Sequence, residues 1–187
     1  MEKLSLAESV KILELIGQKV EGTFGRLSAG QLNWQPSLDS WSIGQCLKHI
    51  IQSNELYFVI LQSIANGTKK SSFWEKMPFL PQLFGNLLIN SIDPKNLRKS
   101  KTINKVNPIR SNVEANIVRG FLLHQESLIE KLNATSKVDA KNTVITSPFA
   151  GFIVYTLSDL YNILWLHEER HFLQAKRVME ANNFPKN

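Results

Sequence analysis

Residues 157–177, LSDLYNILWLHEERHFLQAKR, carry the pattern that decides the fold. Leu157, Leu160 and Leu164 recur at spacings of three and four, which is typical of one face of an α-helix. His167 and His171 continue that face, and a separation of four residues places their rings one above the other. The pattern therefore predicts a helix over about residues 156–182, with two imidazoles pointing inward.

Three more segments have helical periodicity, over about residues 5–26, 40–66 and 112–133. The second of these begins at Ser40 or Ser42, and Gln45 stands three residues after Ser42, as in a capping box. Its end is predicted at Asn66-Gly67, a typical C-terminal signal. With the last helix, these segments predict an all-α protein.

The stretch over about residues 68–110 interrupts the helical pattern. Pro78, Pro81, Pro94 and Pro108 exclude a long helix there, yet the stretch is too apolar for a disordered linker. We expect a packed excursion with short helical turns around residues 81–90. No strand pair is convincing, because the apolar runs 144–145 and 152–155 stand in loop context. The chain is therefore predicted to be a single domain, residues 1–187, forming a four-helix bundle with a long crossover excursion between its second and third helices.

The charge distribution argues against nucleic acid as a partner. The chain has 187 residues and a formal net charge of +6. The run from Pro94 to Arg110 holds six basic residues and no acid, so it accounts for the whole excess. This run has no aromatic residue that could stack on bases, and we interpret it as a solvated loop or as a contact for an anionic ligand.

The compartment is predicted from cysteine usage and hydropathy. Cys46 is the single cysteine, so no intrachain disulfide can form. The first residues include acids where a secretion signal needs an apolar run, and no stretch approaches the length of a membrane span. We therefore expect a cytoplasmic protein with a small-molecule substrate and no membrane partner.

The histidines are the candidate functional residues. Burying His167 and His171 without partners would cost free energy, and a divalent cation held by both would remove that cost. His49, on the second predicted helix, could reach the same face, and three neutral imidazoles with open coordination positions describe a catalytic-type metal site. His124 is predicted inward as a fourth ligand, a proton relay or, preferentially, a core or supporting residue. Cys46 is interpreted as a small buried hydrophobe.

Three motifs resemble the DinB-like superfamily of bacterial metal-binding four-helix bundles. They are NWQP…SWSIGQCLKHI (Asn33–Ile50), PFAGF (Pro148–Phe152) and HEERHFLQAKR (His167–Arg177). The position of Gln45 is often glutamate in relatives, and the excursion is longer and more basic than expected. For that reason the substrate class cannot be transferred from the family.

The resemblance implies that His49, His167 and His171 bind one divalent metal ion, zinc or nickel. It also implies an up-down-down-up course of the four helices and a homodimer. Relatives include transferases that use bacillithiol, mycothiol or related thiols. The implied function is a thiol-dependent S-transferase in which a metal-bound thiolate from a low-molecular-weight thiol attacks small electrophiles.

Two other functions remain open at this point. A metal-dependent hydrolase would need a carboxylate as general base. Glu168 and Glu169 are expected to turn away from the ligand face, which leaves Asp159 and Glu55 as weak candidates. The other alternative is a non-catalytic, stress-related protein that binds a metal or a small molecule, so the sequence does not establish whether the chain is an enzyme.

Overall fold

The protein is mostly helical, in agreement with the predicted all-α class. The computed structural model describes residues 3–96, 106–108 and 112–186. Within these residues the elements are α1 (Leu6–Phe24), α2 (Ala29–Asn33), α3 (Ile43–Ala65), a 3-10 turn (Trp74–Lys76), α4 (Leu80–Ile92), α5 (Ile117–Asn133), β1 (Val144–Thr146), β2 (Val154–Thr156) and α6 (Leu157–Met179).

Local capping motifs set where the long helices begin. Ser42 is the N-cap of α3: its hydroxyl accepts from the backbone N–H of Gln45, whose side chain accepts from the Ser42 N–H. This capping box confirms Ser42, rather than Ser40, as the start. α3 ends as predicted at Asn66-Gly67, where Gly67 has φ +68°, a conformation that costs glycine little. Thr156 and Asp159 form the same type of box at the start of α6.

The four long helices α1, α3, α5 and α6 pack around a common interior. α3 contacts α5 and α6, and α1 contacts the same two helices, so each long helix has two long neighbours. Leu13, Phe121, Leu128 and Leu160 are completely buried between them. Burial of each large apolar side chain stabilises the fold by about 1.5–3 kcal/mol, so this interior is the main source of stability.

The excursion after α3 is packed, as predicted, rather than extended into solvent. α4 lies against β2 and α6, and the 3-10 turn contacts β1, β2 and α4. Gly85 of α4 lies so close to the carboxylate of Asp159 that a Cβ there would collide with it. A glycine at this position therefore allows α4 to approach the first turn of α6.

Three expectations about local structure were wrong. β1 and β2 form an antiparallel hairpin in which Ile145 opposes Tyr155, although no strand pair was expected. Three-residue strands are too short to show alternation, and their long connection lacks the two-residue turn signal of a tight hairpin. The short helix α2 was not predicted, and α5 begins at Ile117 instead of near residue 112. Most of the basic run, residues 97–105 and 109–111, lies outside the described residues.

No helix among the described residues combines the length and apolar character needed to cross a lipid bilayer.

Candidate metal centre

Three histidines from two helices form one cluster. His49 lies on α3, and His167 and His171 lie one turn apart on α6. One nitrogen from each ring can be chosen so that all three lie within 4.8 Å of one another. The shortest separation joins Nε2 of His49 and Nε2 of His167, at 3.1 Å. The structure thus brings together all three residues that the sequence indicated.

Hydrogen bonds on the outer side of the cluster orient two of the rings. Nδ1 of His49 donates to the carbonyl oxygen of Val106 at 2.7 Å. Nδ1 of His171 donates to Oε1 of Gln174 at 3.0 Å. A neutral imidazole that carries its proton on Nδ1 has a free lone pair on Nε2. Both hydrogen bonds therefore leave Nε2 as the ring atom that can coordinate a metal cation.

Burial keeps the three imidazoles uncharged. It lowers the pKa of His167 to about 3, assisted by the neighbouring charges of His49 and Arg170. Burial also lowers the pKa of His171 well below its usual value and, more modestly, that of His49. The neutral form is the one that binds metals, so these rings stay ready for a cation at neutral pH.

The spacing of the nitrogens suits one ion. Two nitrogens at 2.0–2.1 Å from a tetrahedral zinc ion lie about 3.4 Å apart, close to the separation of the His49 and His167 nitrogens. Small movements of ring position would bring the third nitrogen to the same distance. Three protein ligands leave at least one coordination position open, which is the arrangement of catalytic rather than structural zinc sites.

Trp41 forms a wall of the cluster. Its ring stacks on His171, with centroids 5.6 Å apart and planes 24° apart, and lies 4.8 Å from the ring of His49. Contact with two of the three candidate ligands places this ring at the edge of the site.

The backbone carbonyl of Val106 is the partner that sequence reasoning missed. Val106 is buried and belongs to the excursion, so this segment reaches the histidine cluster. Every residue has a backbone carbonyl oxygen, so the sequence does not indicate which of them accepts a hydrogen bond from a histidine. Gln174 could have been found, because it lies three residues after His171 on the same helix.

His124 and Cys46 lie outside the cluster, as the sequence analysis favoured. His124 stacks on Phe58 with ring centroids 5.2 Å apart, and burial lowers its pKa to about 4. Cys46 is completely buried, and burial raises the pKa of its thiol to about 12. Neither side chain lies in the cluster, and the protonated thiol of Cys46 is not the form that binds metals.

No carboxylate joins the three histidines in the part of the chain that the structure describes. Glu168 turns away from them, as expected, and is fully buried, where it accepts from Asn54 Nδ2 at 2.8 Å and Gln125 Nε2 at 2.6 Å. Burial raises the pKa of Glu168 to about 8. Asp159 caps α6 and pairs with Lys3, while Glu55 is exposed on α3. None of these three carboxylates is therefore part of the histidine cluster.

The comparisons with known proteins agree with this site. The family model of the DinB superfamily matches residues 12–175, which include every residue of the histidine cluster. No curated protein and no solved structure matches the chain.

Proposed function

The chain belongs to the DinB superfamily, and from that premise we propose that His49, His167 and His171 bind one divalent metal ion, zinc or nickel. The observation that carries this proposal is the orientation of the rings. The protons of His49 and His171 point outward to Val106 and Gln174, so that the lone pairs of their Nε2 atoms remain for the cluster, where Nε2 of His49 lies 3.1 Å from Nε2 of His167. Ligand histidines in proteins are commonly oriented by such outer hydrogen bonds.

We propose further that the protein is a thiol-dependent S-transferase acting on small electrophiles. When bound, a divalent ion lowers the pKa of a coordinated thiol and so supplies a nucleophile at neutral pH. The thiol has to come from a low-molecular-weight cofactor, because the only cysteine of the chain, Cys46, is buried and protonated. Trp41 would form an apolar wall beside the reacting groups and exclude water from them.

The basic run that begins at Lys95 supplies a further contact for such a thiol. Val106, within this run, reaches the cluster, which places part of the segment at the site. A local positive field would attract a thiol cofactor that is anionic. Replacement of Lys99, Lys101 and Lys105 with glutamine should raise KM for the thiol and leave KM for the electrophile unchanged. An unchanged KM for the thiol would contradict this contact.

The hydrolase alternative has less support. It needs a carboxylate beside the metal, and the nearest acid in the sequence, Glu168, is occupied by Asn54 and Gln125 in the core. A non-catalytic metal-binding protein remains the competing function, and the thiol assay below separates it from a transferase.

We also propose the up-down-down-up course of a four-helix bundle, a homodimer and a cytoplasmic location. Contacts between helices support this course. α1 and α6 contact each other in the same order along the chain, through Leu4–Asn162 and Lys19–Glu169. α3 and α6, with the residues next to them, contact each other in opposite order, through Trp41–His171, His49–His167 and Tyr57–Tyr155. α1 and α5 also do so, through Leu13–Gln125 and Gly17–Leu122. Light scattering of the purified chain tests the dimer.

The first experiment is metal analysis of protein purified without an affinity tag. We expect about one zinc or nickel ion per chain. A variant with His167→Ala and His171→Ala should lose the ion and keep its helical circular dichroism. The matched control is His124→Phe, which removes a buried histidine outside the cluster and should keep the ion.

The second step assays the metal-loaded protein with a panel of thiols and electrophiles. The transferase would be supported if the thiol and the electrophile are both consumed only when the metal ion is bound. This consumption should be lost in the variant with His167→Ala and His171→Ala. Absence of metal, even after incubation with zinc and nickel, would overturn the metal site. A loaded protein without any thiol transfer would instead favour the non-catalytic function.

A further inference from the structure

An exposed apolar face lies on the excursion, away from the histidine cluster. Most of the large apolar side chains exposed in the described residues belong to it: Phe73, Trp74, Phe79, Leu83, Leu87 and Phe152. We call these six side chains the aromatic face. The 3-10 turn, α4 and the hairpin contact one another, Phe73 contacts Trp74, and Phe152 contacts Phe84 of α4, so these residues come from segments packed side by side. Soluble monomers rarely expose apolar patches larger than a few hundred Å², and larger ones mark interaction sites.

Helix geometry aligns part of the aromatic face. Phe79, the N-cap of α4, is followed at intervals of four by Leu83 and Leu87, so the three side chains lie along one stripe. Phe79 and Leu83 are 82% and 57% exposed. The opposite side of α4 is buried through Gly85 and Ile89. α4 therefore has one buried apolar side, and on its exposed side Leu83 and Leu87 stand beside the polar residues Gln82, Asn86 and Asn90.

The backbone at Phe79 is held in an unfavourable conformation that exposes an aromatic ring. Phe79 has φ +68°, and it is the only non-glycine residue with positive φ among those described. Residues with a bulky side chain rarely adopt this conformation, and such strain is concentrated at functional positions. Here the strain projects a phenyl ring into water, where it contributes nothing to folding. A ring held in this way is suited to contact something outside the chain.

The exposed charged residues over 70–92, the segment that carries most of the aromatic face, are cationic. They are Lys70 and Lys76, and α4 itself has no charged residue. Glu75 is an acid of this segment, but its side chain is buried and forms an ion pair with Lys69. The loop over residues 147–153, which carries Phe152, has no charge. Apolar and aromatic side chains edged by lysines are complementary to a bilayer surface with anionic headgroups.

We propose that the aromatic face docks on a lipid bilayer surface that contains anionic phospholipid. Phe79, Leu83 and their neighbours enter the boundary between headgroups and acyl chains, while Lys70 and Lys76 contact phosphate groups. The contact is interfacial, because α4 has 13 residues and about 20 are needed to span. A second copy of the chain fits this face less well, since Lys70 and Lys76 of both copies would be brought together.

This proposal departs from the expectation that the chain has no membrane partner. The sequence showed that residues 79–92 are apolar, and packing against the bundle was a sufficient explanation. The structure shows that packing uses one side of α4 only. The proposal does not depend on the metal site or on any activity.

The test is flotation of the full chain with lipid vesicles. Vesicles of phosphatidylcholine alone are compared with vesicles of equal parts phosphatidylcholine and phosphatidylglycerol, at low and high salt. We expect binding to the anionic vesicles, weakened by high salt because lysine contacts are screened. The double variant Phe79→Asn, Leu83→Gln should bind at least about tenfold more weakly.

The variants are chosen so that folding is preserved. Asparagine tolerates positive φ better than phenylalanine, and both replaced side chains are exposed, so circular dichroism and thermal unfolding should be unchanged or improved. The matched control is Leu38→Gln, Leu123→Gln, which replaces exposed leucines outside the aromatic face and should bind vesicles like the wild type.

Three results would overturn the proposal. The first is no flotation of the wild type with anionic vesicles, and the second is equal flotation of the wild type and the Phe79→Asn, Leu83→Gln variant. The third is a dimer in light scattering that this variant abolishes, without vesicle binding, which would assign the aromatic face to a second copy.

Discussion

Single ring nitrogens decide what the histidine cluster can bind. His49 and His171 reach it from different helices, and each uses Nδ1 for a partner outside the cluster. Because a neutral ring carries only one N–H proton, each Nε2 is then left with a lone pair that can bind a cation. The partners differ in kind: Val106 supplies a backbone carbonyl, and Gln174 supplies a side chain. The second can be removed by mutation.

Replacement of Gln174 with alanine should weaken metal binding by about 10–100-fold. The reason is that His171 loses the acceptor of its Nδ1–H and can rotate or change tautomer. Competition with a chromophoric chelator measures the affinity. Gln174→Glu keeps an acceptor and should retain or increase affinity, and Lys176→Ala on the same helix should have no effect. Equal affinity of Gln174→Ala and wild type would show that His171 is oriented by packing alone.

At the scale of elements, α6 is the helix that connects the site with the core. One of its sides carries His167 and His171, and the side chain of Glu168, the next residue after His167, points into the core. There Glu168 accepts from Asn54 of α3 and Gln125 of α5, and Gln125 also donates to the carbonyl of Leu13 of α1. This polar network joins all four long helices, and it specifies their relative position more sharply than apolar packing does.

Replacement of Glu168 with alanine should lower the free energy of unfolding by about 2–4 kcal/mol, because two buried amides lose their acceptor and a cavity forms. Urea denaturation measures the change. Glu169→Ala is the matched control: its ion pair with Lys19 is largely exposed, so less than about 1 kcal/mol should be lost. Similar losses in the two variants would contradict the buried network.

For the whole molecule, burial of neutral histidines couples folding to pH. His124 illustrates the effect outside the metal site, since its pKa is about 4 in the folded chain and 6.5 without burial. Between these values the unfolded chain binds more protons than the folded chain. Stability from this residue is therefore complete above about pH 6.5 and is lost as the pH falls toward 4.

The metal-free protein should be less stable at pH 5 than at pH 7 in urea denaturation, because burial lowers the pKa of all four histidines. Together they outweigh Glu168, whose raised pKa acts in the opposite direction. His124 alone contributes roughly 1.4 kcal/mol for each pH unit in this range. His124→Phe removes the titration and an unpartnered buried Nε2 while keeping a ring against Phe58, so its stability should fall less on acidification. An identical decline in wild type and variant would show that His124 does not titrate in this way.

The sequence alone determined what depends on neighbours along the chain. Helix periodicity, the Ser42 capping box and the stop at Asn66-Gly67 are encoded within three or four residues, and they predicted the four long helices, although α5 begins at Ile117 instead of near residue 112. The same local spacing put His167 and His171 on one inward face. Proline positions and apolar content similarly predicted a packed excursion between α3 and α5.

Only the tertiary structure decided what depends on contacts between distant residues. The hydrogen bond from His49 to the carbonyl of Val106 joins residues 57 positions apart. A pattern of side chains cannot predict a backbone acceptor. Pairing of β1 with β2 is set by their fit to the excursion, because three-residue strands carry too little local signal. The burial of Glu168 and the exposure of Phe79 likewise depend on which surfaces the helices cover when they pack. That packing depends on contacts among segments that are distant in the sequence.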